Sequence, residues 1–170
     1  MRGNNIKKII ILFLLVVLLS GCGTLTLPND LEFLFLINQL DTPEKICHYM
    51  LYNFIYEPHL YYTLNPYELY QQGKGDCNDF SGFASFIANY HGYETFQIII
   101  YFKETIFKHA IAVYKENNKY DYSTNTIYFP IQVETIKEVV EDYDEYDYRY
   151  EVKKYRVYDY KMEFIEQGAN

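Results

Sequence analysis

Few side chains in this 170-residue chain have the chemistry to attack a carbonyl, and the three cysteines and four histidines come first among them. The most suggestive stretch is Gly73-Lys74-Gly75-Asp76-Cys77-Asn78-Asp79-Phe80. Glycines at 73 and 75 allow a tight approach to Cys77. From Phe80 onward, Phe83, Ala84, Phe86, Ile87 and Tyr90 recur mostly three or four apart, the stripe of an amphipathic helix. Asp76 suits its N-cap and Gly92 its end. Cys77 therefore falls in the first turn, among N–H groups without an intrahelical acceptor, where the helix dipole favours a thiolate. That is the geometry of a nucleophile. The competing readings are a small buried residue and a Cys47–Cys77 disulfide, which an exported compartment permits.

A second stretch, Lys108-His109-Ala110-Ile111-Ala112-Val113-Tyr114, alternates as a strand and carries a histidine at its head. A cysteine opening a helix followed by a histidine on a later strand is the layout of a thiolate–imidazolium pair. On these residues the sequence resembles the transglutaminase-like superfamily of papain-like cysteine enzymes. The matching elements are Gly75-Asp76-Cys77-Asn78-Asp79 and His109-Ala110, with Asn65-Pro66-Tyr67-Glu68-Leu69-Tyr70 resembling the short helix before the cysteine loop. The resemblance spans about 42–130. It implies acyl transfer at an amide or peptide bond, most simply hydrolysis, with Cys77 attacking and His109 managing the proton. A catalytically silent domain of the same fold, binding protein or cell-wall material, is the other reading, and the aromatic richness speaks for it.

Members of that superfamily orient the histidine with an Asp or Asn on the next strand, and Asp121 and Asn125 both qualify. In a hairpin turning at Asn117-Asn118, Asp121 lies opposite Val113 or Tyr114, some 13–17 Å along the strand from His109 at about 3.3 Å per residue. Asn125 faces His109 if the loop has three residues, whereas a two-residue loop puts Thr124 and Thr126 on that face. Asn125 is the choice here. An oxyanion donor is expected from the Cys77 N–H and a side chain, with Gln71 and Gln72 as candidates. Ile111 replaces the aromatic that often follows His-Ala, and the frequent Asp-Pro after the second strand is missing, which favours a hydrolase over a true transglutaminase.

Residues 1–21 carry Arg2, Lys7 and Lys8 before the apolar run 9–19 and end at Leu19-Ser20-Gly21-Cys22. This resembles a bacterial lipoprotein signal, implying cleavage after Gly21 and lipid attachment to Cys22. The run is short for a membrane span. Two or more acyl chains on Cys22 would anchor the protein stably to an extracytoplasmic membrane surface. Residues 22–30 then read as a tether and 31–170 as one domain, with its core at about 42–130 and an extension at 131–170. Loss of residues 1–21 removes three cations and no acids, moving the net charge from −8 to −11. Such acidity argues against nucleic acid as a partner, while the resemblance implies a protein or peptide substrate, including cell-envelope material.

The remaining chain must position the pair. Leu31–Leu40 reads as a short helix, and Asp41-Thr42-Pro43-Glu44 starts another. Cys47 and His48 are helix residues, not ligands; no Cys-x-x-Cys or His-x-x-x-His spacing occurs, so neither metal nor cofactor is implied. His59 lies in a loop without an evident partner, and His91 ends the cysteine helix as a dipole partner. Glu94–Phe102, the His109 run and Tyr120–Phe129 read as strands, giving an α+β fold in which a helix presents the cysteine to an antiparallel sheet. Ile131–Val140 has helical spacing. The acidic, tyrosine-rich 141–148 reads as a solvated connector, and 150–158 as a strand at a sheet edge guarded by lysines.

Overall fold

The computed structural model describes residues 27–59 and 62–169. The signal-like segment, Cys22 and most of the tether lie outside the described residues. Helices α1 (Leu31–Gln39) and α2 (Pro43–Asn53) lead through a two-residue strand β1 (Ile55–Tyr56) to α3 (Pro66–Gln72), β2 (Lys74–Gly75) and α4 (Cys77–Tyr90). Strands β3 (Glu94–Phe102), β4 (Lys108–Glu116), β5 (Lys119–Thr124) and β6 (Ile127–Val133) follow, then α5 (Ile136–Tyr146), β7 (Val152–Asp159) and β8 (Phe164–Ala169). The six long strands form one antiparallel sheet in the order β6-β5-β4-β3-β7-β8. This is the α+β arrangement read from the sequence, and no described helix is long and apolar enough to cross a membrane.

Alternation along β4 splits the core into two layers. Ala112 and Tyr114 face the helical layer of α1 to α4, while Ile111 and Val113 face α5. A strand buried on both faces needs apolar residues at nearly every position, and 110–114 supply them. In α4, Phe80, Phe83, Ala84 and Ile87 are fully buried against this layer, as their spacing requires. Each large side chain so buried contributes about 2 kcal/mol. Phe83 touches Phe54 edge-on at 4.9 Å and Tyr49 in a stack at 6.1 Å, so Phe83→Ala would open a cavity costing about 3–5 kcal/mol.

Three elements differ from the sequence reading. The run 120–129 is not one strand: Asn125 takes a left-handed conformation (φ 49°) and turns the chain back into β6. The helix expected over 131–140 begins only at Ile136, where Thr135 and Glu138 form a reciprocal capping box. It then runs through the acidic stretch to Tyr146, because Val139, Val140 and Tyr143 share one buried face. The strand in 150–158 is interior, since β8 pairs outside it and takes the edge.

Candidate functional site

The loop into α4 is built for close approach. Asn65 and Glu68 cap α3 reciprocally, and Gly73 ends it in a left-handed conformation (φ 66°). At Gly75 a Cβ would lie 2.6 Å from Asp79 Oδ2 and 2.8 Å from Leu69 Cδ1, so only glycine fits. Asp76 then caps α4, accepting from the N–H groups of Asn78 at 2.8 Å and Asp79 at 3.3 Å. Asp79 returns a bond from its carboxylate to the Asp76 N–H at 2.7 Å. Cys77 is thereby the first residue of the helix, as its sequence position indicates.

The sulfur of Cys77 lies at β4. The backbone N–H groups of Ala110, the residue after His109, and of Cys77 and Asn78 lie close enough to favour its thiolate. Strand β5 leaves β4 at the Ile111–Thr124 pair, which frees the edge of β4 beyond it for Cys77. His109 stacks on Tyr143 of α5 (5.6 Å between centroids, 12°), and its Nε2 meets Thr124 Oγ1 at 2.7 Å. Tyr143 and Tyr56 both lie near Cys77, and that proximity helps raise their pKa values. Cys47 and Cys77 are both free. Cys47 is buried in the helical layer beside Tyr114 and Ser123, so the disulfide alternative fails.

The electrostatics oppose one sequence expectation. Burial pushes the Cys77 thiol up, against the Ala110 N–H that favours the thiolate, and the Asp76 charge adds to the rise. Burial likewise holds His109 down at about 4, with Asp147 opposing and Arg149 adding to the depression. Both shifts run against a depressed thiolate beside an imidazolium, and among the described residues the imidazole's contacts are Tyr143 and Thr124. Helix N–H groups are real stabilisers of the anion, but here desolvation outweighs them.

The hairpin turns on two residues, Asn117 (φ 51°) and Asn118 (φ 61°), with Glu116 paired to Lys119. That register brings Thr124 to the imidazole and leaves Asp121 opposite Tyr114, bonded instead to Tyr128 and Gln132. Asn125 sits in the following turn with a buried Oδ1 that has no hydrogen-bond partner. Gln71 and Gln72 end α3 exposed, and among the described residues neither hydrogen-bonds toward Cys77. Tyr56 of β1 lies near Cys77 instead, and nothing in its sequence context marked it.

His59 is the other residue the sequence left without a role. Its Nε2 is 2.6 Å from Asp79 Oδ2 and its Nδ1 3.8 Å from Asp76 Oδ2, with Tyr62 stacked on the ring at 4.2 Å. Burial lowers its pKa, but the bond to Asp79 and the charges of Asp79 and Asp76 raise it overall. Asp79 is fully buried and also accepts from the Leu64 N–H at 2.7 Å. The three offer an imidazole nitrogen and two carboxylates within 4.8 Å of one another, a set of donors that can hold a divalent cation. His91, read as a dipole partner, caps α4 and meets the Ile37 carbonyl at 2.8 Å through Nε2.

These elements define an α+β protein whose cysteine-bearing helix meets a histidine-bearing antiparallel sheet. No known family matches the chain and no curated protein matches it. Among solved structures, Legionella pneumophila LapG (EGTA-treated) is similar over 71% of this chain and 67% of that one, with a TM-score of 0.48 and 14% identity.

Proposed function

We propose that the protein is a transglutaminase-like thiol enzyme that transfers an acyl group from an amide or peptide bond, most simply to water. The observation that carries this is Cys77 as the first residue of α4, capped by Asp76, on a helix packed against β4, the strand that bears His109. With a neutral pair at rest, His109 acts as a general base: it takes the thiol proton as sulfur attacks the carbonyl, then returns it to the leaving amine. Water attack on the thioester, assisted by the same imidazole, releases the acid and restores the thiol. Thr124 orients the ring, with Asn125 in the adjoining turn as the second positioning residue. The Tyr56 hydroxyl and the Cys77 N–H are the donors for the oxyanion.

A second reading, a silent domain that binds cell-envelope material, draws on the burial of the pair, Cys77 being 9% exposed. Alkylation by iodoacetamide at about pH 7 separates the two. A working pair labels at Cys77, and His109→Ala slows that labelling about tenfold or more, while His48→Ala and His91→Ala leave it unchanged. Equal rates in wild type and His109→Ala refute the enzyme reading. Lipid attachment at Cys22 is part of the proposal and rests on Leu19-Ser20-Gly21-Cys22. Mass spectrometry of the membrane fraction should find Cys22 acylated and residues 1–21 gone; an unmodified Cys22 in soluble protein refutes it.

A further inference from the structure

The chain is acidic, with 23 Asp and Glu against 15 Lys and Arg, so its cations should find carboxylates easily. Most described lysines do, in pairs such as Lys74–Glu57, Lys115–Glu94 and Lys119–Glu134. Lys108, Lys154 and Arg156 do not: among the described residues none is in an ion pair. All three gather on Tyr101, with Lys154 Nζ 4.9 Å, Arg156 Cζ 5.7 Å and Lys108 Nζ 6.0 Å from the ring centroid. Arg156 Nε is also buried without a hydrogen-bond partner.

Sheet register explains the cluster and places it. Tyr101 pairs with Lys108 on one side and Lys154 on the other, while the next same-face row runs Gln167, Arg156, Ile99, Ala110. No acid stands in either row, and Lys154 faces Ala169 on β8. Three like charges on one ring repel one another, and the π face offsets only part of that. An anion would relieve it. Ala110 shares with Ala112 the face of β4 on which α4 packs, so the platform begins beside the helix that carries Cys77. From Ala110 to Tyr101 is one strand across and two residues along, about 8 Å between Cα atoms. An extended substrate covers that in two or three residues.

We infer that Lys108, Lys154 and Arg156, held by Tyr101, form a subsite for carboxylate side chains of an acidic peptide two to three residues from the bond that Cys77 attacks. This rests on the thiol-enzyme reading and names the substrate class for that site. The net negative charge of the rest of the molecule sharpens the choice: it repels an extended polyanion such as nucleic acid, while a short acidic segment needs only this patch. Specificity then comes from a local reversal of sign.

The test uses the full chain carrying Cys77→Ala, and a coumarin-labelled octapeptide of alternating glutamate and alanine followed by fluorescence anisotropy at low salt. The glutamate peptide should bind and its glutamine counterpart should bind at least tenfold more weakly. Lys108→Gln, Lys154→Gln and Arg156→Gln should each weaken binding about two- to fivefold, and the three together about tenfold or more. Lys153→Gln, at an exposed residue of the β-bulge on the same strand that makes no contact with the Tyr101 ring among those described, should leave it unchanged. In the protein with Cys77 intact, saturating glutamate peptide should slow iodoacetamide labelling several-fold. Binding is read without Cys77, so it stands or falls apart from the His109 test. Equal affinity for both peptides, full affinity in the triple variant, equally tight binding of an eight-nucleotide single-stranded DNA, or binding without protection of Cys77 each overturns the inference.

Discussion

If burial keeps the His109 imidazole neutral, the protein must lose stability in mild acid, and His109→Gln must abolish part of that loss. The folded protein holds His109 at about 4 against an ordinary value of 6.5. Between those values the unfolded chain takes up a proton that the folded one refuses, so stability falls as pH falls. The full shift corresponds to about 3 kcal/mol, and integration from pH 7 to pH 5 gives about 2 kcal/mol. Asp147 and Arg149 face the ring with opposite charges, and both remain in the variant. Glutamine keeps an amide for Thr124 Oγ1, and any constant cost of the substitution cancels because only the pH dependence is compared. Urea unfolding followed by tyrosine fluorescence suits a chain with 21 tyrosines and no tryptophan. Wild type should lose about 2 kcal/mol more than His109→Gln between pH 7 and pH 5. Parallel curves for the two proteins would refute a neutral, desolvated imidazole.

Thr124→Ala should slow Cys77 alkylation more than Asn125→Ala, because only Thr124 bonds His109 Nε2; the reverse order of rates would return the positioning role to Asn125. Gly75→Ala should destabilise the protein by about 2 kcal/mol in urea unfolding, since the new methyl meets Asp79, which its hydrogen bonds hold in place, and an unchanged midpoint would contradict the close approach. In an NMR titration His59 should titrate above 6.5, and Asp79→Asn should bring it down. The sign for stability is opposite to that of His109: the His59 contribution is complete below pH 6.5 and disappears as pH rises through its folded value. A His59 shift that survives Asp79→Asn would break the ion-pair account.

What the sequence revealed was local. Asp76 as a cap, Cys77 in the first turn and the apolar stripe of α4 follow from the covalent chain within a few residues, where periodicity and capping are strong. The same holds for β4, whose doubly buried run is continuous. The acidic stretch of α5 was misread because its surface composition is that of a connector, while its burial rests on three residues, Val139, Val140 and Tyr143, visible only with helical phase in mind. His59 could not be read at all. Its partners lie 17 and 20 positions away, across a loop without periodicity.

The site itself turned on parity and on solvent, neither of which the local chain states. A loop of two residues instead of three moves every side chain of β5 by one position, which is why Thr124 and not Asn125 reaches the imidazole. Solvent exclusion is a property of the assembled layers. A cysteine at a helix N-terminus is a thiolate only if the dipole and the N–H groups outweigh the loss of water, and the packing around Cys77 reverses that balance. Burial opposes charge on Cys77 and His109, and on the proposed acidic-peptide reading the charge that would act on a substrate at long range is that of Lys108, Lys154 and Arg156.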